Sequence, residues 1–220
     1  MSSPDPTRLA QLVELLVHRS ARRGHFTLAS GRTSDLYIDA RLTTMHPDGL
    51  ALIGPLALAA LEASDWGRGV TAVGGLTLGA DPISYAISYA SALQCAPSHP
   101  AIGSASADRP TPSAAGRPPL RAFTVRKEAK THGTGKLVEG PFEAGDRVAI
   151  IEDVITSGGS ARRAIDAVRG AGGVVAGVLA LVDREEGGRQ AIEAMGLQVL
   201  ALVVRQDIVA RMQGEQSGTG

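Results

Sequence analysis

The chain has 220 residues, enough for one α/β-sized domain, and its hydrophobic fraction of 44% is ample for a core. Its 22 basic and 22 acidic residues cancel, and aromatics make up only 3%, which argues against a basic nucleic-acid surface, a membrane-surface patch or a base-stacking platform. Cys95 is the only cysteine, so neither a disulfide framework nor a cysteine metal site is available. The start, Met1-Ser2-Ser3-Pro4, lacks the basic and apolar regions of a secretory signal, and no apolar run is long enough to span a bilayer. A cytoplasmic protein is the expectation.

Asp5-Pro6 reads as a helix start, an N-cap followed by proline at the first helical position. Leu9, Leu12, Val13, Leu16 and Val17 recur at helical spacing, and Gly24 is read as the helix's C-terminal stop. Two extended pieces, Phe26–Leu28 and Leu36–Ile38, flank the turn Ser30-Gly31-Arg32. A second helix is expected from Pro47 to about Ala63, with Pro55 kinking it or removing a hydrogen bond. Val70–Val73 reads as a strand ending at Gly74-Gly75, before a helix that reaches about Leu93 and tolerates Pro82 in its first turn.

Residues 95–120 lose apolar periodicity and are rich in Pro, Ser, Ala and Gly, the composition of a flexible surface insertion rather than a second domain. Beyond it come the strand Ala122–Val125, a polar loop 126–140, the strand Arg147–Ile151 and a helix over 161–170. The strand Val174–Val182, a helix near 188–195, the strand Leu197–Val204 and a short terminal helix complete the chain. Strands alternating with helices predict an α/β fold with a mainly parallel sheet, whose ligands sit at the C-terminal ends of the strands.

Two segments carry chemistry. In 148–160 an apolar run, Val148–Ile151, gives way to Glu152 and Asp153. Val154, Ile155, Thr156, Ser157, Gly158, Gly159 and Ser160 follow, and a helix opens behind them. Small residues let backbone N–H groups approach an anion, the helix N-terminus favours negative charge, and paired carboxylates can hold sugar hydroxyls. An acid pair before a Ser/Gly turn can also be plain N-cap chemistry. The preceding apolar strand and the full Thr-Ser-Gly-Gly-Ser run point instead to a grip for a ribose phosphate. No Walker loop and no dinucleotide-binding glycine motif is present.

The second segment holds Arg126, Lys127, Lys130 and His132, four groups able to present positive charge. Lys127, Lys130 and Lys136 are the only lysines in a chain that otherwise uses arginine. Lysine is a compact, mobile point charge, and such a cluster suits a pyrophosphate that needs several donors as it leaves.

With Ser30-Gly31-Arg32 and Val182-Asp183-Arg184, these segments resemble the orotate phosphoribosyltransferases among the type I phosphoribosyltransferases. The resemblance runs from about Phe26 to Asp207, outside the insertion. The acid–glycine motif is common to transferases for many bases, and the Arg-Lys-x-x-Lys-x-His loop points to the orotate branch. The resemblance implies a type I phosphoribosyltransferase fold as one domain over 1–220, with a helix and small hood from 1–45 and an α/β core over 46–220. It implies transfer of phosphoribose from phosphoribosyl pyrophosphate (PRPP) to orotate in UMP biosynthesis.

By the same resemblance Glu152 and Asp153 hold the ribose 2′- and 3′-hydroxyls. Residues from Val154 through Ser160 belong to the PRPP-binding segment, with Thr156–Ser160 cradling the 5′-phosphate. Arg126, Lys127, Lys130 and His132 bind pyrophosphate, and Lys130, Glu152 and Asp153 act in catalysis. Thr156 and Arg184 hold orotate, Arg184 through its carboxylate. Mg²⁺ is expected to arrive on PRPP, held mostly by substrate oxygens and water. A homodimer sharing loop 126–140 across its interface is expected, with no nucleic-acid or membrane partner. Many family members carry a lysine where Ala29 stands, and two aromatics where Tyr37 and Ile38 stand. The alternatives are a transferase for another base, or a non-catalytic regulator that binds PRPP.

Overall fold

The computed structural model describes residues 4–27, 33–95, 118–128 and 136–217. Asp5 is extended and its carboxylate accepts from the N–H groups of Thr7 (2.9 Å) and Arg8 (3.4 Å), starting α1 (Pro6–Leu15) where the sequence places it. Gly24, however, does not stop this helix. The chain leaves α1 through a π-helical turn, Leu16–Ser20, and enters β1 (Ala21–Thr27). The Ser20 hydroxyl bonds Thr43 at 2.7 Å and its carbonyl accepts from Asp39 N–H at 3.0 Å, so the direction of the chain is already fixed before Gly24. Gly24 instead lies where the pairing of β1 with β2 (Thr33–Ile38) shifts register between Arg23 and Phe26, a bulge in an antiparallel hood.

A short helix missed by periodicity, α2 (Arg41–Thr44), follows the hood. Then comes α3 (Pro47–Ala63), which runs on through Pro55 as one helix. β3 (Ala72–Leu76) is buried at every residue, and it contains Gly74 and Gly75 instead of ending at them. α4 (Ala80–Cys95) places Pro82 in its first turn, as expected. Residues 96–117 of the expected insertion lie outside the described residues. Its expected ends belong to the core: Cys95 closes α4, and Leu120 is buried, with its N–H donating to Ser91 Oγ at 2.9 Å.

β4 (Arg121–Val125) is followed by a two-residue strand inside the expected loop, β5 (Val138–Glu139). β6 (Arg147–Ile155) runs four residues past the end read from the sequence, so both acids lie within the strand. α5 (Gly159–Gly170), β7 (Val174–Asp183), α6 (Gly188–Glu193), β8 (Val199–Val204) and α7 (Arg205–Ser217) complete the fold. The six-stranded sheet has the order β5-β4-β3-β6-β7-β8, parallel except where β5 meets β4.

This sheet is buried on both faces, as parallel sheets are. Along β6 and β7, Ala149, Ile151, Leu179 and Leu181 pack with α1, α3 and α4, whereas Val148, Ile150, Val178 and Ala180 pack with α5 and α6. The hood is tied down by long-range contacts. Arg184 donates to Ser34 Oγ (2.7 Å) and the Leu36 carbonyl (2.8 Å), and Arg205 pairs with Asp35 at 2.7 Å.

Candidate active site

β6 runs past its neighbour β3, whose pairing with it ends at Gly74↔Ile150, and delivers Glu152 and Asp153 to the C-terminal edge of the sheet. Glu152 is only 7% exposed, and its Oε2 has no hydrogen-bond partner among the described residues. Burial, reinforced by the neighbouring Asp153 charge, pushes its carboxyl well above the usual carboxylate range. Burial also raises Asp153, opposed by the Val154 N–H that donates to Asp153 Oδ1 at 2.8 Å. A buried acid with an orphaned oxygen beside a half-buried one is an arrangement that can accept hydrogen bonds from a ligand.

The loop after β3 closes against them. A Cβ on Gly79 would stand 2.5 Å from the Asp153 carboxyl carbon, so a side chain there would have to push that carboxylate aside. Asp81 secures the loop by accepting from the hydroxyls of Thr77 (2.6 Å) and Thr124 (2.9 Å), and Thr77 N–H donates to the Val125 carbonyl at 2.8 Å. The resulting cleft measures about 310 Å³. Its walls include both acids, Gly79, Lys127, Arg41 and Arg163. Val154, Ser160, Tyr37 and Ile38 also line it.

The glycine-rich loop behind the acids turns at Gly158, whose φ of 78° is left-handed, and α5 opens at Gly159 with Arg162 N–H bonded to the Gly158 carbonyl at 2.9 Å. The N-terminus of α6 buttresses this turn. A Cβ on Gly188 would stand 2.4 Å from the Thr156 carbonyl, so α6 holds the loop by backbone contact. Thr156, Ser157, Gly158 and Gly159 thus form the entry to a helix N-terminus beside the acids, an anion-binding geometry.

No protein-family model matches the chain. An orotate phosphoribosyltransferase of Rhodopirellula baltica is 42% identical over 210 residues, covering 94% of this chain and 97% of that one. One of Mycobacterium avium is 44% identical over 197 residues, covering 90% and 92%. The chain belongs to the orotate phosphoribosyltransferase family. Among solved structures, Mycobacterium tuberculosis orotate phosphoribosyltransferase in complex with PRPP matches with a TM-score of 0.65 at 33% identity, covering 93% of each chain. The type I phosphoribosyltransferase fold expected from the sequence is the fold found.

Within this family member, the residues singled out from the sequence are not all brought to one place. Glu152, Asp153, Val154, Ser160 and Lys127 meet on one cleft, with Ile155 buried just behind. Arg126 stands beside it, anchored by its N–H to the Leu137 carbonyl at 2.9 Å. Lys130 and His132 lie outside the described residues. Arg184 is set apart, 3% exposed and paired with Glu186 at 2.7 Å while it grips β2; its Nε has no hydrogen-bond partner among the described residues. Arg41 and Arg163 are cleft residues that motif reading missed, because neither sits in a recognisable local pattern. Arg163 carried a faint signal, falling one turn into the helix that follows the glycine loop.

Proposed function

We propose that this family member transfers the 5-phosphoribosyl group of PRPP to N1 of orotate, giving orotidine 5′-monophosphate and pyrophosphate. The observation that carries the reading is the adjacent acid pair, buried Glu152 with one unpartnered oxygen and half-buried Asp153, in a cleft beside the N-terminus of α5. The N1 lone pair forms the new bond to C1, the C1–O bond breaks with its electrons leaving on pyrophosphate, and the N1 proton is lost. The transition state has oxocarbenium character, so the protein's task is orientation, charge neutralisation and exclusion of water.

The acids accept from the ribose 2′- and 3′-hydroxyls, and Thr156–Ser160 cradle the 5′-phosphate with backbone N–H groups. Arg126, Lys127, Lys130 and His132 neutralise the leaving pyrophosphate. Thr156 and Arg184 hold orotate, with the buried Nε of Arg184 the donor still lacking a partner. The residues present fit a Mg²⁺ that comes with PRPP, since Glu152 and Asp153 are adjacent hard oxygen donors and one Glu152 oxygen is orphaned. When bound, the ion neutralises charge on the pyrophosphate oxygens. The protein works in the cytoplasm as a homodimer, with loop 126–140 shared between subunits.

Reversal of the reaction tests this against a regulator that only binds PRPP. Supplied with orotidine 5′-monophosphate, pyrophosphate and Mg²⁺, the protein should regenerate orotate and PRPP. PRPP binding with no turnover in either direction would place it among the regulators.

A further inference from the structure

A guanidinium outside the motifs completes the charge in this cleft. Arg41 is exposed on α2, yet its position is fixed by a bidentate pair with Asp39, Nε to Oδ1 at 2.8 Å and Nη2 to Oδ2 at 2.9 Å. Asp39 Oδ1 also accepts the Arg41 backbone N–H at 3.2 Å, so one carboxylate orients both the short helix and its arginine. An exposed ion pair of this kind contributes little to stability. Arginine carries five N–H donors in a planar fork. Asp39 engages two, and the others have no hydrogen-bond partner among the described residues.

Where those donors stand is informative. Arg41 lines the 310 Å³ cleft with Glu152 and Asp153, and its charge acts on Asp153. It also lines an adjoining depression of about 500 Å³ with Leu42, Met45, His46 and Leu78, which puts it against the loop that follows β3. The glycine-rich loop lies after β6. In a furanose held by its 2′- and 3′-hydroxyls, C1 and the 5′-phosphate arm project from opposite ends of the ring. With the 5′-phosphate at Thr156–Ser160, the C1 substituent points toward the loop of Thr77–Gly79 and Arg41.

We infer that Arg41, held in place by Asp39, is a substrate-binding residue for the pyrophosphate group at C1 of PRPP. This rests on the proposed function. The planar fork suits phosphate oxygens, and its pre-organisation by Asp39 limits the rotamer entropy lost on binding. Arg41 thereby supplies a fixed cation in the cleft that Lys127 also lines.

The test is calorimetric binding of three probes to the full chain with Mg²⁺: pyrophosphate, PRPP and ribose 5-phosphate, for the unsubstituted protein, Arg41→Ala and Arg41→Lys. Arg41→Ala should weaken pyrophosphate and PRPP at least tenfold, keep ribose 5-phosphate within twofold and leave the melting temperature unchanged. Arg41→Lys should recover part of the loss. If the unsubstituted protein binds pyrophosphate and PRPP and Arg41→Ala binds them equally well, the role of Arg41 falls while the proposed function stands. Equal loss of all three probes would also overturn it, since the defect would not be confined to the C1 end. If the unsubstituted protein binds no PRPP, both readings fall together.

Discussion

At Glu152, protonation, stability and binding are linked. Its folded pKa lies above the ordinary value of 4.5, so the folded state keeps a proton that the unfolded chain gives up. The stabilisation from this group is complete below about pH 4.5 and is lost as the pH rises through the raised folded value. Glu152→Gln, always neutral, should therefore melt progressively higher than the unsubstituted, ligand-free protein as the pH climbs above about 4.5. PRPP affinity should respond in the opposite sense, because its hydroxyls need acceptors and binding must expel the proton. Calorimetry in buffers of different ionisation enthalpy should register that release, and buffer-independent heats would contradict it.

Arg184 sits at the same scale and serves two needs. A charge-assisted bond to the orotate carboxylate is worth about 1.5–3 kcal/mol, so Arg184→Ala should raise the orotate KM at least tenfold. It should also lower the melting temperature, because the Leu36 carbonyl and the half-buried Glu186 lose their partner. An unchanged orotate KM would refute the binding role whatever happens to stability.

Among the elements, β3 shows how tightly the site is built into the sheet. A Cβ on Gly75 would stand 2.1 Å from the Ile151 carbonyl and 2.7 Å from Ala80 Cβ, between β6 and the start of α4. Gly75→Ala should cost about 1–3 kcal/mol by overpacking. That corresponds to a melting temperature lower by roughly 2–12 °C for a chain of this size, read by thermal unfolding. Elements of this length were legible where local chemistry marks them: Asp5-Pro6 for α1, Pro47 for α3, and the β-branched run of β7. The end of β6 was not, because the switch from apolar residues to two acids reads as a strand stop. The strand continues because β7, longer by one residue, pairs with it, Glu152↔Ala180 through Ile155↔Asp183. β5 and α2, at two and four residues, are too short for any periodicity to register. The acid pair and glycine loop were legible because they are contiguous in sequence. The cleft position of Arg41 was not, because it depends on the hood folding over a strand far along the chain.

For the whole molecule, the question is how sites are shared. If loop 126–140 crosses between subunits of a homodimer, each site needs Lys130 from one chain and Asp153 from the other. Lys130→Ala and Asp153→Asn proteins, each nearly inactive, should then complement when their subunits are exchanged. Half the dimers would be mixed, with one of their two sites intact, restoring roughly a quarter of full activity. Mixtures no more active than either parent would mean that each subunit completes its own site.

The most direct test of the central claim is the absorbance of orotate when the purified protein meets orotate, PRPP and Mg²⁺, with adenine, hypoxanthine and uracil run in parallel. Loss of orotate that depends on PRPP, with the other three bases untouched, is the expected result. Consumption of a different base, or of none, would contradict the assignment.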